Sequence, residues 1–504
     1  MQPHKYKAGL PLYPKAAAAK NNATVRIIGI RNLSCRPLKN FYRKQRTLGI
    51  TMKELTLKSL RLTSAGLSLS LCLLANHAGA AVQGWDPNGT TSIGGNGTWD
   101  TTSLNWTPGG TQTQVASGSL VAFTSGNAAL FCAGPSGSAN QGTFTVTVSG
   151  TPTIGGIFNG NLNPGPCNLT ITGGGLNLAT GTDAFSMYNN VTIINSPISG
   201  TTGGILNPQG SGSVSLFANN TYSGGTLLNS PTLVNFNNNN SFGTGVMTIT
   251  RGSGLFAALL AQGGSTLTLA NNFANTTSGG GINFASAAST PVVSTGTWSL
   301  GANNLNLRNN GNSTSPLALS GAISGTANLT VSGANGGKII LSGANTYSGS
   351  TTVGSSAATS ITLQAGTANE IASSSSLIMA GGTFNPGGFD QAMASTTLNL
   401  TASSTIDFAA GASELKFANS SALTWTGILN LANWDSSLDL LRVGTDANGL
   451  TLAQLGMIEF NGASLGSAQL NSLGFVVVVP EPSTALLGLL GGLSLMWTIR
   501  HRKV

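Results

Sequence analysis

Proton transfer and metal binding near neutral pH fall most often to histidine, and this chain of 504 residues keeps its three at His4, His77 and His501. The long stretch between His77 and His501 therefore offers no histidine base, no Ser-His-Asp triad and no imidazole ligands. Carboxylates are the other route to hydrolysis, and a glycosidase needs two of them about 5–10 Å apart. Asp435 and Asp439 could approach that separation, but nothing else in the sequence marks them, and solvated turn residues are the simpler reading. A calcium-dependent lyase would want clustered acids beside a cation. Arg251, Arg308, Lys338, Lys416 and Arg442 each stand apart from any acidic cluster in sequence. Asp446-Ala447-Asn448-Gly449 is faintly like a calcium loop, without the spaced acids of an EF-hand. These residues point away from an enzyme, a metal and a cofactor; the alternative is a carbohydrate-binding or polysaccharide-cleaving fold.

Aromatic side chains could instead stack on sugars. Trp85, Trp99 and Trp106 lie close together in sequence, and Trp425 and Trp434 form a later pair. Bulky rings also suit the closed end of a core, and that reading is preferred. Tyr222 and Tyr347 are expected to pack a repeated turn. Cys132 and Cys167 remain once Cys35 and Cys72 leave with the targeting segments described below. Oxidising compartments preserve disulfides, so a Cys132–Cys167 bond is expected, with two buried thiols as the alternative.

Short strands must position all of these groups. TFTVTVSG, NLTITGGGLNLA, VMTIT, STLTLA, NLTVSG and KIILSG alternate apolar residues with Thr, Ser or Asn, and Gly or Asn bounds them. Alternation at period two reads as half-buried strand. Gly is abundant (69 residues) and charge is scarce (7%), but a hydrophobic share of 40% argues against disorder. Asn220-Thr221-Tyr222-Ser223-Gly224 returns residue for residue as Asn345-Thr346-Tyr347-Ser348-Gly349, 125 positions later. Recurring strand-turn units suggest a stacked solenoid. Asn and Gly tolerate the positive φ that tight corners demand. The expected class is all-β, a right-handed parallel β-helix over residues 136–400, with a string of β-sandwiches as runner-up.

The ends read differently. Residues 1–51 are a basic extension, taken either as sequence upstream of a true start at Met52 or as a long signal n-region. Residues 52–80 read as a signal peptide: Lys53, Lys58 and Arg61, then apolar Leu62 to Leu74, then Ala78-Gly79-Ala80 as a small-x-small cleavage site before Ala81. At the other end, Pro480-Glu481-Pro482 precedes an uncharged stretch, Ser483 to Ile499, and then Arg500, Arg502 and Lys503. That stretch is long enough to cross a bilayer as a helix, with the basic cluster held in the cytoplasm. Residues 63–479 carry five basic and eleven acidic side chains, a net of −6, so the +9 of the whole chain belongs to its ends. A nucleic-acid partner is not expected, because that binding needs a basic surface.

LSGANTYSGSTTV from Leu341 resembles the autotransporter-associated β-strand repeat, and LFANNTYSGGTLL from Leu216 is similar to a divergent copy. GTWDTTSLNWTPGG, with Trp99 and Trp106, resembles the segment that often opens such proteins. SSALTWTGILNLANWD and GFVVVVPEPSTALLGLL resemble their closing segment joined to a PEP-CTERM sorting signal. The resemblance implies a bacterium with an outer membrane, and an exosortase that processes the chain at Pro480, Glu481 and Pro482. It also implies a membrane-held intermediate and a final place at the cell surface or in extracellular matrix, structural or adhesive, with a matrix polysaccharide as partner. No strongly patterned outer-membrane barrel is visible, so self-export is not expected. Residues 81–135 are then an N-terminal cap, 401–479 a C-terminal β subdomain and 480–504 the sorting signal.

Overall fold

The computed structural model describes residues 80–479 apart from 90–93, 112–113, 116–117, 132–141, 161–166, 188–189, 201–202, 287–288, 356–358, 373 and 463–467. The basic extension, the signal segment with Ala78, Cys132 and the sorting tail lie outside the described residues. Ala80 and Ala81 lie inside them; the Ala81 carbonyl already accepts the Ala128 N–H of the next rung.

Alternation in the sequence becomes alternation in burial. Leu267–Leu269 and Leu317–Leu319 each bury both leucines and turn the middle residue partly to solvent. Neighbouring strands are parallel, which removes the sandwich alternative. Between Gly142 and Leu398, successive partners along one face lie 20 to 26 residues apart. The result is a right-handed parallel β-solenoid of about 12 turns. Leu329–Leu341 shows how one strand serves two faces. Its first half pairs with Leu305–Asn309, its second half with Leu317–Leu319. The corner between them carries Asn335 at φ 58° and Gly336 at φ 74°, the conformation that favours these residue types.

In-register stacking turns the apolar positions into columns. Leu267, Val292, Leu317, Ile339, Leu363, Phe384, Ile406, Leu431 and Phe460 are successive register partners, and all are buried. Each such side chain contributes roughly 1.5–3 kcal/mol of burial. The column runs through Ser404–Asp407, Leu429–Ala432 and Ile458–Phe460 without a break. Val82–Gly84 and Ala128–Phe131 form parallel rungs ahead of residue 136. Parallel stacking thus extends on both sides of residues 136–400.

Both ends of this stack change direction. At the first, Trp106 pairs antiparallel with Trp85 and with Val121, over a fully buried cluster in which Trp106 lies 5.0 Å from both Trp85 and Trp99. At the other, Ala468–Leu470 and Val476–Val478 form an antiparallel hairpin, and Phe475 bridges antiparallel to Arg442 of the outermost rung. Such coverings occupy backbone groups that a bare edge strand would expose. Leu452–Leu455 is one helical turn, held by a Thr451–Gln454 capping box. Among the described residues no helix is long and apolar enough to cross a membrane.

Candidate functional site

The repeated motif is a device for joining rungs. In the first copy Asn220 is fully buried. Its Oδ1 accepts the Ile198 N–H of the preceding rung at 2.8 Å, and its Nδ2 donates to the Ser241 carbonyl of the following rung at 2.7 Å. In the second copy Asn345 repeats this, accepting from Ile323 N–H at 2.8 Å and donating to the Glu370 carbonyl at 2.9 Å. Asparagine suits the task because one short side chain carries both an acceptor and two donors. The tyrosines of the motif are fully buried, and each hydroxyl meets a threonine four residues on: Tyr222 with Thr226 at 2.7 Å, Tyr347 with Thr351 at 2.6 Å. Burial pushes the Tyr347 hydroxyl up to about 12 and Tyr222 higher still, so both stay protonated. The closing glycines admit no side chain: a Cβ would stand 2.1 Å from the Gly204 carbonyl oxygen at Gly224, and 2.2 Å from that of Ala327 at Gly349.

Asparagine also braces the early rungs. Asn159 donates to the Cys167 carbonyl at 3.2 Å and to Thr192 Oγ1 at 2.9 Å, while Asn190 accepts the Cys167 N–H at 3.0 Å. Cys167 itself is fully buried and disulfide-bonded.

Asp435 and Asp439, for which turn residues are the simpler reading, do come together in a turn. Asp439 accepts the Asp435 N–H at 2.8 Å, and Asp435 accepts both the N–H and the hydroxyl of Ser437. Those Ser437 bonds hold the exposed Asp435 below the usual carboxylate range. Burial pushes Asp439 up. Each has a backbone-holding task. Glu370, a buried acid, is raised by desolvation; Thr367 donates to it and Asn345 Nδ2 reaches Oε2 at 3.2 Å. Among the described residues no group of three or more His, Cys, Asp or Glu side chains is placed to hold a metal.

Trp85, Trp99 and Trp106 cluster at the first rung as a buried cap. Trp425 and Trp434 are both buried beside the later rungs. The strand Leu429–Ala432 separates them. Trp425 donates to the Leu398 carbonyl, and Trp434 packs on Phe408 and Phe460 at 5.1 and 5.5 Å.

One open feature was not legible in the sequence. A cleft of about 190 Å³ beside the last rungs is lined by Lys416, Asn419, Arg442, Thr445 and Asp446, among others. Lys416 and Arg442 are register partners on adjacent parallel strands. Lys416 also pairs with Glu414 at 2.5 Å.

The chain is similar to the adhesin BmaC autotransporter of Brucella suis biovar 1 (strain 1330), at 33% identity over 168 residues. That match spans 33% of this chain and 4% of the adhesin's length. No family model matches the chain, and no solved structure matches it.

Proposed function

We propose that this chain is an exported surface or matrix protein whose solenoid acts as an adhesive or structural element. The observation that carries the reading is the allocation of polar groups. The described asparagines of the repeat, the buried tyrosines and the Asp435–Asp439 pair are engaged in joining rungs or closing turns. The local similarity to an adhesin supports the same reading.

The sorting route is part of the proposal. An exosortase recognises Pro480-Glu481-Pro482 while Ser483 to Ile499 holds the chain in the inner membrane, and the processed protein moves to the surface or matrix. Signal cleavage after Ala80 leaves Ala81 at the start of the mature chain. The domain division at 81–135, 136–400, 401–479 and 480–504 belongs to this reading too, with a Cys132–Cys167 bond joining the cap to the first rungs.

Replacement of Pro480-Glu481-Pro482 by three alanines tests the route in the native host. The expected result is an uncleaved chain that accumulates in the inner membrane, with loss of cell adhesion. Normal trimming and release would refute the sorting step. Normal adhesion after deletion of the whole gene would refute the adhesive role.

A further inference from the structure

We infer that the Lys416–Arg442 cleft binds the carboxylate groups of an acidic polysaccharide, a glycan rich in uronic acid. The inference deepens the adhesive reading and rests on it for the extracellular setting of the ligand. Its first support is the register. Lys416 and Arg442 stand directly across from each other on neighbouring parallel strands, whose backbones lie about 4.8 Å apart. Like charges in such positions repel. Residues 63–479 hold only five cations, yet two of them occupy this one in-register position.

Their remaining hydrogen-bond capacity supports an anion in the cleft. An ammonium has three donors and a guanidinium five. Lys416 meets Glu414. Among the described residues, the hydrogen bond of Arg442 runs from Nε to the Leu473 carbonyl at 3.1 Å. Phe475 packs near it, with the guanidinium carbon 5.8 Å from its ring centroid, and Arg442, with its guanidinium fork, lines the cleft together with Lys416. A planar carboxylate matches that fork.

The rest of the lining selects a sugar acid over a bare anion. Asp446 uses Oδ1 to accept the Asn448 N–H at 2.8 Å. Its carboxylate and the Thr445 hydroxyl offer acceptors for sugar hydroxyls beside the two cations. Asp446, and Glu414 through its pairing with Lys416, offset the two cations, so a ligand held here gains from hydroxyl groups that donate to Asp446 beside its carboxylate.

Polygalacturonate, its methyl ester and neutral dextran are suitable probes for the purified full chain, with Lys416→Gln, Arg442→Gln and the remote control Lys338→Gln. Circular dichroism checks that each variant keeps its β signal. The wild type and Lys338→Gln should bind polygalacturonate and neither of the other glycans. Each cleft variant should weaken binding by about tenfold or more, the loss expected for one charge-assisted hydrogen bond. Unchanged binding by a folded Arg442→Gln chain, or equal binding of the methyl ester, would overturn the site. So would a wild type that supports cell adhesion yet ignores polygalacturonate, an outcome that leaves the adhesive reading standing.

Discussion

Asn220→Ala removes the bridge between three rungs at one blow. The Ile198 N–H and the Ser241 carbonyl both lose a short, buried partner. Each unsatisfied buried group costs about 1–3 kcal/mol. Partial entry of water into the space left by the side chain relieves some of that, so the expected loss is about 3 kcal/mol, roughly a hundredfold in a local opening constant. Asn345→Ala deletes equivalent bonds from a residue that is half-exposed, where water replaces the amide, and should cost nearer 1 kcal/mol. Native-state hydrogen exchange resolves the two. The Ile198 amide in Asn220→Ala should lose about a hundredfold in protection, and the Ile323 amide in Asn345→Ala about tenfold or less. Unchanged protection at Ile198 in a folded Asn220→Ala chain would refute the claim that this side chain joins the rungs. Equal losses in the two alanine variants would refute the role given to burial.

Tyr222→Phe strands the Thr226 hydroxyl in a dry site and should lower stability by about 1–2 kcal/mol in urea unfolding. Asp100 is held at about 2 by the Ser103 N–H and hydroxyl, with the Thr102 N–H adding to them. Its folded value lies below the unfolded one, so this contribution is complete above about pH 4 and disappears as pH falls toward 2; Ser103 amide exchange should quicken over that window in the wild type and not in Asp100→Asn. Glu370 has the opposite sign. Burial raises it, so its charge opposes folding as pH rises past the ordinary glutamate value, and Glu370→Gln should raise the neutral-pH urea midpoint relative to the wild type while flattening its pH dependence. Alkylation of the exported chain in denaturant without reductant should leave Cys132 and Cys167 unlabelled, with both labelled once reductant is added; labelling before reduction would refute that pairing.

The columns of the fold were legible because strand period and burial period are the same: LTL, LAL and KIIL each show which residues face in. The NTYSG recurrence marked a repeated turn, and its tyrosines pack there as expected. What Asn220 does was not legible, since its partners at Ile198 and Ser241 lie one rung away on either side and carry no local signal. The cleft was hidden for the same reason. Lys416 and Arg442 are 26 positions apart, and register alone makes them neighbours. Asp435 and Asp439 read as turn residues, but the sequence conceals which backbone N–H groups they accept. Leu452–Leu455 is too short to display a helical period, and the antiparallel hairpin at Ala468–Leu470 uses the same strand chemistry as the parallel rungs before it.

The stacking also has a mechanical consequence. A rung adds about 4.8 Å to the length of the stack, whereas the 20 to 26 residues wound into it reach roughly 80 Å when drawn straight. Tension applied along the axis therefore meets a spool: each rung that peels away feeds out many times the length it occupied and dissipates load as it goes. Asn220 and Asn345, tied to the rungs on both sides, act as stitches that stop the run. A stack built this way yields to axial load one loop at a time.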